Sequence, residues 1–173
     1  MQEKVILGGF GGQGILLMGR LLAAAGVIDG KNVCWVPTYG PEKRGGTADC
    51  SVILSEAPIP SPLVTAPNSV IVMNEDAMGR FEPKLVPGGN LFVNSSFITA
   101  KSSRKDVNVY YVPCNEIAEK MKAPKSANLV MLGAYVKVSD SVSSKAIFSA
   151  VGEIMQKAQD INREAFEKGA AAV

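Results

Sequence analysis

The 173-residue sequence contains no histidine. Serine–histidine and cysteine–histidine catalysis are therefore excluded, and so is any histidine metal site. There are only three cysteines, Cys34, Cys50 and Cys114, and no Cys-x-x-Cys pair. An odd, scattered set argues against a disulfide framework and fits a reducing compartment. It is also a poor ligand set for an iron–sulfur cluster, which normally takes four thiolates. Charge is scarce too: the net value is +2, with no Lys/Arg run, so no nucleic-acid arm is expected. Long hydrophobic runs are missing. The most apolar stretch, Ile15 to Ile28, is interrupted by Gly19, Arg20 and Gly26. It is shorter than the ~20 residues a membrane span needs. Met1-Gln2-Glu3-Lys4 leads straight into an apolar strand and lacks a signal-peptide layout. The expectation is a soluble cytoplasmic chain without membrane or nucleic-acid partners.

What is present suits one domain over 1–173, with 47% hydrophobic residues to build a core. Val5-Ile6-Leu7 reads as a buried strand running into glycines. Gly14 to Asp29 has helical spacing at Leu17, Leu21 and Leu22, and Gly30 stops it. Asn32 to Val36, closed by Pro37, and Ala48 to Leu54 read as strands. So do Ser69 to Met73, Asn90 to Val93 and Val107 to Val112. Glu56 to Asn68 is rich in proline and reads as a connection or edge segment. Helices are expected over Glu75 to Lys84, Asn115 to Met121, Ser126 to Val138, Ser143 to Lys157 and Asn162 to Gly169. Strands alternate with helices early, and helices collect at the end. That order predicts a three-layer α/β/α domain with a mostly parallel or mixed sheet and a Rossmann-like start.

Two loops stand out. Gly8-Gly9-Phe10-Gly11-Gly12-Gln13-Gly14 places Gly9-x-Gly11-x-x-Gly14 between the first strand and the first helix. Glycines there let the backbone turn tightly, and a helix N-terminus offers N–H groups to an anion. A dinucleotide site would add a carboxylate at the end of the second strand, but that strand ends Trp35-Val36-Pro37-Thr38. A phosphate, a diphosphate, a partner's backbone or no ligand at all fits the turn better. No Gly-Lys-Ser/Thr follows, so it is not a P-loop. The second loop, Tyr39-Gly40-Pro41-Glu42-Lys43-Arg44-Gly45-Gly46-Thr47, follows the second strand and lies at the same sheet edge. Lys43 and Arg44 supply positive charge, and the Arg44 fork suits carboxylate or phosphate. The bland alternative is a solvated connection. Asn74, the segment Asn94-Ser95-Ser96 and Asn128 read as helix caps, and Cys50 and Cys114 as small buried residues.

Together these motifs resemble the gamma subunit of 2-oxoacid:ferredoxin oxidoreductases. The resemblance rests on the Gly8–Gly14 segment, on Trp35 to Ala48, and on Asn128-Leu129-Val130-Met131-Leu132-Gly133-Ala134. The Tyr39-Gly40-Pro41-Glu42 form of the second loop is most like 2-oxoglutarate-type enzymes. Lys43 stands where that pattern would carry an uncharged residue. The resemblance implies a subunit that is inactive alone and holds no cofactor. Thiamine diphosphate and iron–sulfur clusters would reside in alpha, beta and ferredoxin-like delta subunits, and ferredoxin would accept the electrons. It also implies that Gly9, Gly11, Gly12, Gln13, Gly14, Tyr39, Lys43, Arg44, Gly45 and Gly46 face those subunits or a coenzyme A phosphate. Two other readings stay open: a free-standing Rossmann-type NAD(P) or flavin oxidoreductase, and a purely structural scaffold.

Overall fold

A computed structural model describes residues 1–40 and 45–173. Lys43 and Arg44 lie outside the described residues. The chain forms β1 (Gln2–Phe10), α1 (Ile15–Ile28), β2 (Asn32–Tyr39), β3 (Thr47–Ser55), β4 (Ser69–Val72), α2 (Glu75–Phe81), β5 (Asn90–Asn94), β6 (Asn108–Val112), α3 (Cys114–Lys120), α4 (Ala127–Ser139), α5 (Ser144–Met155) and α6 (Gln159–Ala170). The six strands make one sheet in the order β2-β3-β1-β4-β5-β6. β1, β4, β5 and β6 pair in parallel, whereas β3 is antiparallel to both β1 and β2. The sheet is therefore mixed, with β3 the one reversed strand.

The first unit departs from a simple βαβ crossover. α1 carries the chain from β1 to β2, but β2 does not pair with β1. The following hairpin turns back and inserts β3 between them, so that Phe10 lies opposite Thr47 and Tyr39 opposite Ala48. β2 becomes an edge strand. This explains why it runs on through Pro37: a residue without an N–H is tolerated where one side of the ladder is open.

Period-2 alternation splits the core across the sheet. Val5, Leu7, Ile71 and Phe92 point into the larger cluster, beneath α1 and α3–α6. Ile6, Val70, Val72, Leu91 and Val93 point into the smaller one, covered by α2. Each large apolar side chain buried in this way stabilises the fold by ~1.5–3 kcal/mol. α4 is buried nearly all round because it is enclosed between the sheet and α6. Its approach to α6 is backbone against backbone. A Cβ on Gly133 would strike the Phe166 carbonyl, and one on Gly169 would strike the Val130 carbonyl.

All five co-directional strands end at one carboxyl edge. The turns after β1, β2 and β5 gather there, with exposed Phe10, Tyr39 and Phe97 among them. Among the described residues no helix is long and apolar enough to cross a membrane.

Candidate functional site

The first glycine turn is built by backbone geometry. Gln13 N–H donates to Phe10 O at 3.2 Å and closes a four-residue turn. Its third residue, Gly12, has φ 92°, a position that type II turns give to glycine. Gly14 follows at φ 75° and forms the N-cap of α1. It provides no side-chain cap, and the first turn of α1 holds no acid. The N–H groups of Ile15, Leu16 and Leu17 thus have no protein partner among the described residues. They carry the positive end of the helix dipole toward the carboxyl edge.

The second loop closes over this turn. Gly11 N–H donates to Gly46 O at 2.8 Å, and Gly40 N–H donates to Thr47 O at 2.8 Å. The two glycine segments, more than thirty residues apart, become one surface. They line an open groove of about 580 Å³ formed by Phe10, Gly11, Gly12, Gly14, Tyr39, Gly40, Gly45, Gly46 and the first turn of α1. No described residue of this lining carries a charged side chain. The described lining offers backbone donors and apolar surface.

The ten sequence-selected residues separate by place. Gly11, Gly12, Gly14, Tyr39, Gly45 and Gly46 line the groove. Gly9 lies inside β1, opposite Ala48, where a Cβ would collide with Ile15 and with Gln13 Oε1 at 2.7 Å. Gln13 folds inward, its amide bonded to the protein. Two residues outside that set also matter. Asn128 does not cap α4, which starts at Ala127 after the N-cap Ser126 with no side-chain cap bond. The Asn128 amide instead lies against Gly14, and its Oδ1 is buried without a partner among the described residues. Two uncapped helix N-termini, those of α1 and α4, therefore meet at the carboxyl edge. Ser96 is the other: its Oγ accepts from Asn115 N–H at 3.1 Å and from Glu116 N–H at 3.2 Å, so α3 is capped from a neighbouring loop. Asn74 does cap α2, accepting from Ala77 N–H at 2.8 Å.

Two of the three thiols, Cys50 and Cys114, are too buried to act as nucleophiles. Cys50 packs beneath α1, where Gly19 leaves room for it and for the Trp35 indole. Burial pushes its thiol up to about 12. Cys114 is raised further for the same reason. Cys34 is half-buried. A thiol needs a depressed value and access to act as a nucleophile at neutral pH. Among the described residues no group of three or more Cys, Asp or Glu side chains could hold a metal ion.

The fold and the glycine groove define an α/β module that offers backbone donors at its sheet edge. Residues 4–172 match the family model described as pyruvate ferredoxin/flavodoxin oxidoreductase. The chain belongs to that family, and within it to the gamma-subunit type. It is 35% identical to the 2-oxoglutarate synthase subunit KorC of Methanocaldococcus jannaschii, over 98% of this chain and 92% of that protein. It is equally similar, at 35%, to the ketoisovalerate oxidoreductase subunit VorA of Methanothermobacter thermautotrophicus, but spans only 36% of that longer chain. Among solved structures, the keto/oxoacid ferredoxin oxidoreductase gamma subunit of Geobacter sulfurreducens superposes with a TM-score of 0.89 at 28% identity, covering 99% of this chain and 96% of that one. The 2-oxoglutarate:ferredoxin oxidoreductase of Magnetococcus marinus, solved with 2-oxoglutarate, coenzyme A and succinyl-CoA bound, superposes with a TM-score of 0.92 at 25% identity. This chain covers 31% of that polypeptide.

Proposed function

We propose that this chain is the gamma subunit of a cytoplasmic 2-oxoglutarate:ferredoxin oxidoreductase and that its glycine groove receives a phosphate of coenzyme A. Alpha, beta and ferredoxin-like delta subunits hold the thiamine diphosphate and iron–sulfur clusters, and ferredoxin takes up the electrons. The 2-oxoglutarate assignment draws support from the similarity to KorC along almost the full length of both chains. The observation that carries the site is the Gly11–Gly46 bond, which joins two glycine-rich loops over the unpartnered N–H groups of α1. Backbone N–H groups at a helix N-terminus bind phosphate without needing a titratable side chain. Coenzyme A is anionic, so a groove of bare backbone suits it, and the sequence between Gly40 and Gly45 carries the basic Lys43–Arg44 pair.

A dinucleotide oxidoreductase fits less well. β2 ends at Thr38-Tyr39 without a carboxylate, β3 separates it from β1, and among the described residues no acid lines the groove to take a ribose.

Arg44→Ala in the reconstituted complex tests the reading. The KM for coenzyme A is expected to rise roughly tenfold, as for loss of one charge-assisted contact. The KM for 2-oxoglutarate should stay unchanged. Unchanged coenzyme A kinetics with intact assembly would remove the proposed role.

A further inference from the structure

Gln13 sits in the middle of the glycine turn, yet its amide points away from the groove. Its Oε1 accepts from Phe10 N–H at 2.8 Å, so the side chain ties the start of its own turn to the end. The same oxygen accepts from Asn74 Nδ2 at 3.2 Å. Its Nε2 donates to Met73 O at 3.2 Å. Asn74 in turn is buried and caps α2. A single glutamine thus joins the β1–α1 turn to the end of β4 and the start of α2. These bonds act on a segment whose φ values, 92° at Gly12 and 75° at Gly14, are open to glycine and so are weakly fixed by sterics. A turn made of glycines has the most conformations to lose, and a side chain that holds it supplies the order that glycine lacks.

We propose that Gln13 is a positioning residue for anion binding. It fixes the Gly11–Gly14 backbone so that the N–H groups at the head of α1 converge on a phosphate. It touches no ligand itself. This rests on the reading that the groove receives a coenzyme A phosphate. Holding binding groups in place before the ligand arrives lowers the ordering cost of binding. The role therefore concerns affinity for coenzyme A and leaves the chemistry in the partner subunits unaffected.

The test uses the reconstituted complex with 2-oxoglutarate, coenzyme A and ferredoxin. Gln13→Met keeps the side chain's length and loses all three bonds. Asn74→Ser keeps an oxygen to cap α2 and loses only the Nδ2 donor to Gln13. The KM for coenzyme A should rise roughly tenfold in Gln13→Met, which loses three bonds, and by a smaller factor of roughly threefold in Asn74→Ser, which loses one. Turnover at saturating coenzyme A and the KM for 2-oxoglutarate should both stay within about twofold, because uniform binding is lost and the transition state of the chemical step is not touched. A merely structural role would lower assembly or turnover and leave the KM for coenzyme A alone, and that result would overturn the proposal. Arg44→Ala, measured beside them, separates the two levels. If Arg44→Ala raises the KM and neither Gln13→Met nor Asn74→Ser does, the positioning role falls and the groove reading stands. If none of the three raises it, both fall. Should Gln13→Met fail to assemble, Asn74→Ser decides alone by the same readout.

Discussion

Gly14→Ala probes the junction between the groove and the core. Gly14 has φ 75°, and an alanine there costs ~1–2 kcal/mol for the left-handed conformation alone. The new Cβ would also enter the Asn128 side chain, meeting its amide nitrogen, with Cγ at 2.8 Å and Cβ at 3.0 Å. Because Asn128 is buried, it has little room to retreat. Such overpacking adds ~1–3 kcal/mol. The total is a loss of roughly 2–5 kcal/mol. Urea unfolding of the isolated chain, followed by circular dichroism, reads it directly. Asn128→Ala divides the two parts. Alone it should change stability by under about 1 kcal/mol, since the packing it loses is offset by removal of an Oδ1 buried without a partner. Combined with Gly14→Ala, it should leave only the conformational ~1–2 kcal/mol. Two results would refute the reasoning: a Gly14→Ala loss below about 1 kcal/mol, or the same Gly14→Ala loss with and without Asn128.

Two further outcomes follow from the polar network. Arg80 on α2 forms a two-pronged ion pair with Asp49 on β3 and a second with Asp76; Asp49 Oδ1 is 3.0 Å from Arg80 Nη2. The hydrogen bonds to Asp49 hold the guanidinium above its usual value. Arg80→Met should cost ~1–3 kcal/mol by leaving a mostly buried carboxylate unpaired, and adding Asp49→Asn should recover most of it, as a double-mutant cycle in urea would show. Glu3 is half-buried beside Ser69 and Tyr135, and burial raises its carboxyl above 4.5. Its protonated form is therefore favoured by the fold, and the wild-type chain loses stability as pH rises from about 4.5 through the raised folded value. Glu3→Gln should unfold later than wild type at pH 7 and match it below pH about 4.5, in melting curves across that window.

Much of the fold was legible because its signals are local. The apolar runs Val70–Val72 and Leu91–Val93, the glycine turn after β1 and the Asn74 cap all act within a few residues. The order of the strands was not. Whether β2 or β3 lies beside β1 depends on where the hairpin folds back, and no residue within β2 or β3 encodes that. Pro37 looked like a strand end and is one residue of an open edge, because the edge position removes its cost. In the site, glycine spacing identified both loops but could not sort their glycines by purpose. Gly9 makes room for Ile15 and Gln13, whereas Gly11 and Gly12 face the groove. Asn128 escaped for the same reason, since it acts on Gly14, far away in sequence. The Asn94-Ser95-Ser96 segment was legible as a cap, and Ser96 is the residue that caps α3. The apolar run after Asn128 marked a buried helix, and a lone amide at the head of such a helix was the available clue.

The most direct measurement is ferredoxin reduction by 2-oxoglutarate and coenzyme A in three mixtures: this chain alone, the alpha, beta and delta subunits alone, and all four together. The account predicts no turnover from the single chain. It predicts weak or no coenzyme A dependence from the three partners, and full activity with a low KM for coenzyme A once the chain is added. Turnover by the isolated chain would contradict it, as would partners whose coenzyme A kinetics are indifferent to the chain's presence.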